Sequence, residues 1–428
     1  MRFTRLTRDS YAQFMDHAER AFYSQLPAVG ELRREQGQKV EYVGVVGTDD
    51  EGREVCLAAG LLTFRPWRRF FERAHLIFGP TLDWTNDELI DCFFTGVRAF
   101  LRSEHPKTLA LRVNPLLEKN FYEDIEIVAS NPVAAHVDIK LRGLGCTRID
   151  KEFYEQDDIE ARFAFVKDVG GLSFKEAVAS CGQVVRTGFN RVGTNGVRVE
   201  FKSPSDIGIL KQVLAHTAER TDMHAFDDST FTYYQDLMEH LGPDEAFLPV
   251  AILNCQDALD LITTERDQIS AKIGQLTAQA EQALAQGRQL GKKQRNAMKE
   301  CESRLEVLER RASETEQVRA EHGNEVILAA SLFIHSPHEL VYLVSGAYAQ
   351  FQSYYGIYLI HRAMMEWATS HQVRWYNMFG ITGDFTENAS DAGVLHFKRQ
   401  FKGNVEEYAG TYILPIRARL AKQLAAIS

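Results

Sequence analysis

The C-terminal part of the sequence reads YYGIYLIH (354–361), YNMFGITG (376–383) and GVLHFKRQFKG (393–403). Apolar residues within 357–370 follow the three-to-four spacing of an amphipathic helix, and 372–379 is rich in β-forming residues. Glycines then interrupt the pattern before Phe397 and Lys398. The sequence therefore predicts a helix, a strand, a glycine turn and a second short helix that carries Phe397 and Lys398.

Upstream of this motif, strand-like and helix-like segments alternate in two series, one before and one after residue 150. Strands are predicted at 40–46, 55–64, 108–113, 197–201, 247–253 and 326–334, a glycine-proline turn at 79–80, and helices at 87–103, 173–181, 182–194, 205–219 and 229–241. Such alternation is typical of an α/β protein with mixed sheets. Two units of similar design are the simplest interpretation.

The segment 255–323 differs from both series. Apolar residues recur there at three-to-four spacing in two runs, separated by a glycine-bounded break at 287–291, and no proline occurs from 250 to 336. This pattern predicts an antiparallel coiled-coil hairpin. Each arm of roughly 30 residues would extend about 45 Å.

The predicted tip of this hairpin is basic, although the whole chain carries a formal net charge of −10. Contact with RNA must therefore be local, and the tip supplies the cations that attract phosphate. The alternatives are a solvated charged tip or a contact in a dimer. The tip residues proposed to bind RNA are Arg288, Lys292, Lys293, Arg295 and Lys299.

Length and composition limit the class of protein. With 428 residues, 45% of them hydrophobic and 25% charged, the chain should fold as two or more globular units. No apolar run reaches 18 residues, and the N-terminal residues lack the apolar core of a signal peptide, so a cytoplasmic protein is expected. The six cysteines form no Cys-x-x-Cys pair, and neither a disulfide framework nor a metal site nor a cofactor is predicted.

The C-terminal motif resembles that of the Fem family of non-ribosomal peptidyl transferases. The family pattern joins an aromatic strand, Gly-Ile-x-Gly and an F-K-x-x-F-G string, which here reads FKRQFKG (397–403) with one additional lysine. The resemblance implies two acetyltransferase-like (GNAT) subdomains with the coiled-coil arm between them. Subdomain A would span 1–145, and subdomain B would span 146–254 and 324–428, with the final strand either in B or returned to A.

The resemblance also implies an activity. Fem enzymes move an amino acid from aminoacyl-tRNA to the side-chain amine of the third stem-peptide residue of a lipid-linked peptidoglycan precursor. Such a substrate requires transient contact with the inner leaflet of the membrane. The segment 65–73 mixes cations with aromatic residues, as a membrane-surface segment does, although a β-hairpin whose rings face the core is the preferred interpretation.

Lys398 is the proposed catalytic residue. Amide formation passes through a tetrahedral oxyanion, which a fixed cation stabilises. The family assigns this task to the lysine of the F-K string, and the ring of Phe397 would shield it from water. Without the resemblance, Lys398 would be interpreted as a surface lysine paired with Glu406 or Glu407. Gly380 and Gly383 form the glycine turn beside the predicted substrate site.

Further substrate-binding residues follow from the resemblance. Arg186 corresponds to an arginine that grips the precursor's pyrophosphate, and either Arg33 or Arg34 replaces a lysine that also contacts phosphate. Asn114 stands where the family has an aspartate, so a catalytic role there is doubtful. Tyr233 and Tyr234 correspond to an aromatic position of the cleft, and a place in a helix core is an equal alternative for them.

The sequence does not identify the general base. Asp384, Asp391, His396 and the substrate itself are all candidates, and none has the spacing of a known dyad or triad. Two other functions remain open. One is an acyl-coenzyme A N-acyltransferase, although no pyrophosphate loop follows a strand, and the other is a non-catalytic RNA-binding adaptor.

Overall fold

The computed structural model describes residues 1–67, 70–149, 161–221, 226–287, 289 and 291–417. The helices are α1 (Arg8–Asp16), α2 (Pro27–Glu35), α3 (Asp87–Glu104), α4 (Pro132–Gly143), α5 (Phe174–Ala179), α6 (Gln183–Phe189), α7 (Ile207–Thr221), α8 (Asp228–Leu241), α9 (Cys255–Ala285), α10 (Lys292–His322), α11 (Gly356–Ser370) and α12 (Ala392–Arg399). The strands are β1 (Arg2–Arg5), β2 (Val40–Thr48), β3 (Glu54–Trp67), β4 (Phe71–Leu76), β5 (Thr81–Leu82), β6 (Thr108–Val113), β7 (Glu118–Glu123), β8 (Glu126–Ser130), β9 (Thr147–Ile149), β10 (Phe163–Asp168), β11 (Val197–Lys202), β12 (Ala246–Asn254), β13 (Glu325–Ser336), β14 (Glu339–Ala347), β15 (Trp375–Ile381), β16 (Asn404–Tyr408) and β17 (Thr411–Pro415).

Within the described residues, the strands form two sheets. The first has the order β1-β2-β3-β4-β6-β17-β9, with β5 beside β3, and the second has the order β11-β12-β13-β14-β15-β10-β16-β7-β8. Each sheet contains a parallel pair joined through a helix: β4 and β6 through α3, and β14 and β15 through α11. The predicted mixed α/β fold with two sheets is therefore confirmed.

The two sheets do not divide the chain at residue 145. β17, near the C-terminus, lies in the first sheet between β6 and β9, whereas the hairpin β7–β8 adds to the second sheet through β16. Each sheet is thus completed by strands from the other half of the chain, and the two halves are joined by backbone hydrogen bonds.

The helices pack against the sheets through their apolar faces. Asn86 caps the N-terminus of α3, because its side chain accepts a hydrogen bond from the backbone N–H of Leu89. The apolar face of α3 packs against the first sheet. Helix α11 packs against the second sheet. A side chain at Gly356 would bring Cβ within 2.8 Å of the Leu328 Cβ, so glycine permits the close approach.

The long helices α9 and α10 run antiparallel between β12 and β13. Arg304 of α10 donates two hydrogen bonds to Glu265 of α9, at 2.7 and 2.9 Å. One buried row follows a spacing of seven residues in α10, at Cys301, Leu308 and Thr315. Each helix has 31 residues and therefore extends about 46 Å. Both predicted helices are present.

Some predicted boundaries were wrong. The strand predicted at 55–64 continues to Trp67, because Arg65, Pro66 and Trp67 still pair with β4. The helix predicted at 182–194 ends at Phe189, and a turn follows it. In the part of the chain that the structure describes, no helix is long and apolar enough to cross a membrane.

Candidate active site

Lys398 lies buried on α12, with 4% of the residue exposed. Its Nζ donates hydrogen bonds to the backbone carbonyls of Phe379, at 3.1 Å, and Gly380, at 2.7 Å. Burial lowers the pKa of Lys398 to about 7, and the nearby carboxylate of Asp391 acts in the opposite direction. Lys398 is therefore a desolvated amine held by two carbonyl oxygens.

The alternative of a surface lysine paired with Glu406 or Glu407 is wrong. Glu406 accepts hydrogen bonds from Arg20, and Glu407 accepts them from Lys119 and Arg162. Among the described residues, no carboxylate lies within ion-pair distance of Lys398.

Strand β15 presents the two carbonyls to Lys398. Its parallel pairing with β14 reaches from Trp375 to Asn377, and both strands then continue without pairing to each other. Phe379 has a positive φ of 59°, and its N–H donates to the Asn377 side chain at 2.7 Å. This local departure from strand geometry turns the carbonyls of Phe379 and Gly380 toward α12.

The turn between β15 and α12 is fixed by side-chain hydrogen bonds. Asp391 accepts one from the backbone of Thr382 at 2.8 Å and one from its hydroxyl at 2.6 Å. Gly383 has φ of 89°, and a Cβ there would lie 2.4 Å from the ring of Phe163. Only glycine fits this position without displacing Phe163.

Phe397 packs among aromatic rings of α11 and α12's C-terminal end. Its ring lies 5.6 Å from that of Tyr358, 5.5 Å from that of His361 and 5.4 Å from that of Phe401. The ring therefore belongs to the aromatic layer between α12 and α11.

His361 is a buried group that sequence analysis missed. Its Nδ1 shares a 2.7 Å hydrogen bond with the hydroxyl of Tyr376, and its Nε2 has no hydrogen-bond partner among the described residues. Burial, and next the charge of Lys398, lower the pKa of His361 to about 3, so the imidazole is neutral. The signal was present in YYGIYLIH, because His361 interrupts the apolar stripe of α11.

The other candidates for the general base either form hydrogen bonds to neighbouring groups or lie exposed at the surface. Asp391 is committed to Thr382, Asp384 accepts from the backbone of Thr386 at 2.9 Å, and His396 is exposed. None of the three side chains forms a described hydrogen bond to Lys398.

Arg186 lies on α6, near the end of α12. Its guanidinium donates to the carbonyls of Ala179, at 3.2 Å, and Cys181, at 3.1 Å, and to the side chain of Gln183 at 2.8 Å. The backbone of Gly182 donates to the Gln400 carbonyl at 2.7 Å, which joins α6 to the end of α12. The structure thus brings Arg186 to the same side of the second sheet as Lys398.

The arginines of α2 differ in orientation. The Arg33 guanidinium lies 4.5 Å from the centre of the Tyr233 ring on α8, whereas Arg34 pairs with Glu31 on its own helix at 3.0 Å. Tyr234 is buried in the core beside Phe231. Arg33 and Tyr233 therefore form a second group of candidate residues, between α2 and α8.

Asn114 belongs to neither of these two groups of candidate residues and lies directly after β6. Its Nδ2 donates to the hydroxyl of Thr411 at 2.7 Å, and its buried Oδ1 has no hydrogen-bond partner among the described residues. The side chain thus links the first sheet to the beginning of β17.

The basic residues of the arm lie at the start of α10. Lys292, Lys293, Arg295 and Lys299 are all exposed, and the first turn of α10 contains no acid. Arg288 lies outside the described residues.

The aromatic segment 65–73 forms the hairpin β3–β4. Phe70 at its tip is 68% exposed, and the Arg73 guanidinium lies 4.2 Å from the centre of the Trp67 ring. The expectation that its rings face the core was wrong for Phe70. Arg68 and Arg69 lie outside the described residues.

A buried ionic cluster on the opposite face of the second sheet was also missed. Arg20 donates to Glu339 at 3.2 Å and to Glu406 at 3.0 Å and 2.9 Å. Glu339 is fully buried, and one of its oxygens has no hydrogen-bond partner within the described residues. Burial, and next Glu406, raise the pKa of Glu118 in this cluster to about 7. The cluster ties the segment after α1 to the second sheet.

Within the described ranges, no group of three or more His, Cys, Asp or Glu side chains is arranged to bind a metal ion. The six cysteines are free thiols.

Comparison with known proteins identifies the family. The FemAB family pattern matches residues 6–428. The aminoacyltransferase FemA of Staphylococcus epidermidis is 27% identical over 418 residues, which cover 97% of this chain and 96% of that protein, and FemA of Staphylococcus aureus is 26% identical over the same share. The crystal structure of FemX matches the fold with a TM-score of 0.79 at 18% identity, covering 99% of both chains. The chain is therefore an aminoacyltransferase that belongs to the FemAB family.

Proposed function

We propose that the protein transfers an amino acid from aminoacyl-tRNA to the side-chain amine of the third stem-peptide residue of a lipid-linked peptidoglycan precursor. The observation that carries this proposal is the buried Lys398 amine, held by two carbonyls at the end of β15 in a chain of the FemAB family. The test is an assay of the purified protein with lipid-linked precursor and a panel of charged tRNAs, in which mass spectrometry detects one added amino acid.

The proposed organisation has two acetyltransferase-like subdomains, at 1–145 and at 146–254 with 324–428, and a coiled-coil arm at 255–323. The parallel pair in each sheet and the antiparallel helices α9 and α10 support two subdomains and an arm, whereas β7 and β8 join the second sheet and β17 returns to the first. The proposed location is the cytoplasm, with transient contact to the inner leaflet through the exposed Phe70 and neighbouring cations.

The site suits acyl transfer from an ester. Attack by an amine on the aminoacyl carbonyl creates a negative oxygen, and a lysine in a desolvated site stabilises that charge more strongly than one in water. Lys398 meets this requirement, and Phe397 excludes water on one side. Gly380 contributes one of the carbonyls that hold the lysine, and Gly383 fixes the adjacent turn.

The precursor would be held by the remaining candidates. Arg186 has guanidinium N–H groups beyond those used by Ala179, Cys181 and Gln183, and these are available for a pyrophosphate. Arg33 is preferred over Arg34, because Arg34 is neutralised by Glu31. Tyr233 would line the cleft beside Arg33, and Asn114 would donate or accept one hydrogen bond.

Replacing Arg186 with Ala is expected to raise the KM for the precursor more than it lowers kcat, because a phosphate clamp acts in the ground and transition states alike. Steady-state kinetics at saturating aminoacyl-tRNA measures both constants. Arg198→Ala is the matched control, since Arg198 pairs with Glu200 and Glu325 on the same sheet. A fall in kcat with unchanged KM would contradict the clamp.

The basic tip of the arm is proposed to contact tRNA phosphates. Cations at a helix N-terminus oppose the helix macrodipole, so Lys292, Lys293 and Arg295 do not stabilise α10. Their accumulation is instead what attraction of a polyanion requires. The two alternatives, a dimer contact and a solvated tip, remain outcomes of the test.

Changing Lys292, Lys293, Arg295 and Lys299 together to Gln should raise the KM for aminoacyl-tRNA and reduce its salt dependence. Each lost phosphate contact removes about 0.7 to 0.9 from the slope of log K against log salt. Arg310→Gln, on the same helix and paired with Glu314, is the control. Altered sedimentation with unchanged tRNA kinetics would instead support the dimer contact, and no change in either would leave a solvated tip.

A further inference from the structure

Two arginines meet without a counter-ion where the arm joins the rest of the protein. Arg311 lies on α10, and Arg191 follows the end of α6. Burial, and next the charges of Arg191 and Arg304, lower the pKa of Arg311 below its ordinary value. Glu265 also lies near Arg311, but Arg304 holds it with two hydrogen bonds of 2.7 and 2.9 Å. In the described part of the chain, neither Arg191 nor Arg311 forms an ion pair, so their two positive charges are not neutralised.

The contact between α10 and the segment before α11 brings these two arginines together. The Arg191 guanidinium lies 5.5 Å from the centre of the Tyr355 ring. One turn further along α10, the hydroxyl of Thr315 shares a 2.9 Å hydrogen bond with the hydroxyl of Tyr354. Asn195, in the turn after α6, donates to the Tyr354 carbonyl at 2.7 Å. These contacts place an arginine of the arm beside an arginine of the second sheet's helical layer.

A row of aromatic rings leads from the arginine pair to the active site. The ring of Tyr355 lies 6.0 Å from that of Tyr358, which in turn lies 5.6 Å from the ring of Phe397, beside Lys398. All three aromatic residues are partly exposed. A Cβ at Gly188 would lie 2.6 Å from the Cβ of Tyr358, so glycine allows α6 to pack closely on this row.

The surface beside the arginine pair is open. Val192 is 46% exposed, and a Cβ at Gly193 would meet no atom within 4 Å. Glu314, on the same helix as Arg311, pairs with Arg310 at 3.8 Å. An anion can therefore approach the arginine pair from solvent without displacing a described carboxylate.

On the basis of the proposed function, we propose that Arg191 and Arg311 bind a phosphate of the single-stranded 3′ end of the aminoacyl-tRNA, and that Tyr355 stacks on one of its bases. A guanidinium matches the geometry of a phosphate, and an aromatic ring stacks on any base. The terminal ribose, which carries the ester, follows the row of rings to Lys398.

The competing anion is the pyrophosphate of the lipid-linked precursor. It carries no base, so it would leave the row of rings unused, whereas a single RNA strand uses both the cations and the rings. One arginine of the pair also belongs to the arm, whose basic tip begins at Lys292, about 28 Å away along α10. A tRNA can contact the tip and the arginine pair at once, and a pyrophosphate cannot.

The test measures binding of a short fluorescent RNA with the sequence of a tRNA 3′ end to the full-length protein, by fluorescence anisotropy. Arg191→Gln combined with Arg311→Gln should weaken binding by roughly tenfold or more and reduce the slope of log K against log salt by about 0.7 per lost contact. Tyr355→Leu should weaken binding by roughly tenfold without changing that slope, because stacking releases no counterions. The Kd of the lipid-linked precursor should not change in either variant.

Three further variants make the result specific. Arg310→Gln, beside Arg311 but paired with Glu314, should leave the RNA affinity unchanged. The combined variant of the arm tip should also bind the short RNA normally, because this RNA cannot reach from the arginine pair to the tip. Arg311→Lys keeps the charge, so it should bind the RNA more weakly than wild type with the wild-type salt slope. This variant retains the test if the double variant fails to fold, as judged by thermal melting.

Two outcomes would overturn the site. One is wild-type RNA affinity in the folded double variant, and the other is weaker precursor binding with unchanged RNA affinity, which would assign the arginine pair to the pyrophosphate. Failure of the proposed function has a different signature, since wild-type protein would then form no amide with any aminoacyl-tRNA and precursor. Wild-type protein that forms the amide, with an unchanged KM for aminoacyl-tRNA in the double variant, contradicts only this site.

Discussion

Lys398→Met is expected to reduce kcat by roughly 10² to 10³ while leaving precursor binding nearly unchanged, because one preorganised group in a desolvated site acts mainly in the transition state. Met has a similar length and no charge, so the packing of α12 against Phe397 and Phe401 should persist. Single-turnover rates and equilibrium binding of the precursor, measured separately, test the two parts of this expectation.

The matched control is Lys402→Met, four residues further along the chain, because the Lys402 side chain is exposed. It should leave both measurements unchanged. Near-wild-type turnover of Lys398→Met would show that the charge of this residue does not serve the reaction.

The same variant has a stability signature. Because burial depresses the pKa of Lys398 in the folded protein, the unfolded chain binds more protons between about pH 7 and the ordinary lysine pKa of about 10.4. The contribution of Lys398 to folding is therefore unfavourable near pH 7 and disappears as pH rises through that window. Relative to wild type, Lys398→Met should have a higher free energy of unfolding near pH 7, and this gain should be smallest near pH 10.

Arg20→Met is expected to destabilise the protein by about 3 to 5 kcal/mol, because removal of one partner from a buried ion cluster leaves uncompensated charge. The Arg20 side chain is 13% exposed, and the carboxylate of Glu339 is fully buried. Urea unfolding measures the loss. Fluorescence of Trp375 reports on the site, since the guanidinium lies 4.8 Å from its ring centre.

Two comparisons make this result specific. Arg53→Met removes ion pairs in which Arg53 is 68% exposed, so its effect should be much smaller. Combining Arg20→Met with Glu339→Gln should recover part of the stability, because the buried charge is also removed. The loss in Arg20→Met should shrink as pH falls, since protonation of the remaining carboxylates removes their unpaired charge. An effect no larger than that of Arg53→Met would refute the importance of the cluster.

Local signals in the sequence were enough for the elements around Lys398. The apolar stripe, the β-rich run and the glycines predicted α11, β15 and α12 in the correct order, because each signal acts over a few residues. The two long helices between β12 and β13 were predicted for the same reason. The family resemblance then directed attention to Lys398. Without it, the local sequence favoured a surface lysine at this position.

The parts that sequence analysis missed depend on distant contacts. Arg20 meets Glu339 and Glu406 across 319 and 386 residues, and a lone arginine in a loop carries no sign of such partners. Lys398 donates to backbone carbonyls. Every residue has a backbone carbonyl, so the residue types in the sequence do not reveal these acceptors. The direction of these carbonyls depends on the positive φ of Phe379. Phenylalanine rarely adopts a positive φ, so the sequence does not predict this conformation.

The position of β17 also has a consequence for synthesis of the chain. This strand completes the first sheet between β6 and β9, yet it begins only at Thr411. As the chain leaves the ribosome, β6 therefore keeps an open edge until every described strand of the second sheet has been made. Open strand edges invite wrong pairing and aggregation. The N-terminal half thus emerges first but matures last, and its protection during translation depends on how quickly the C-terminal half folds and delivers β17.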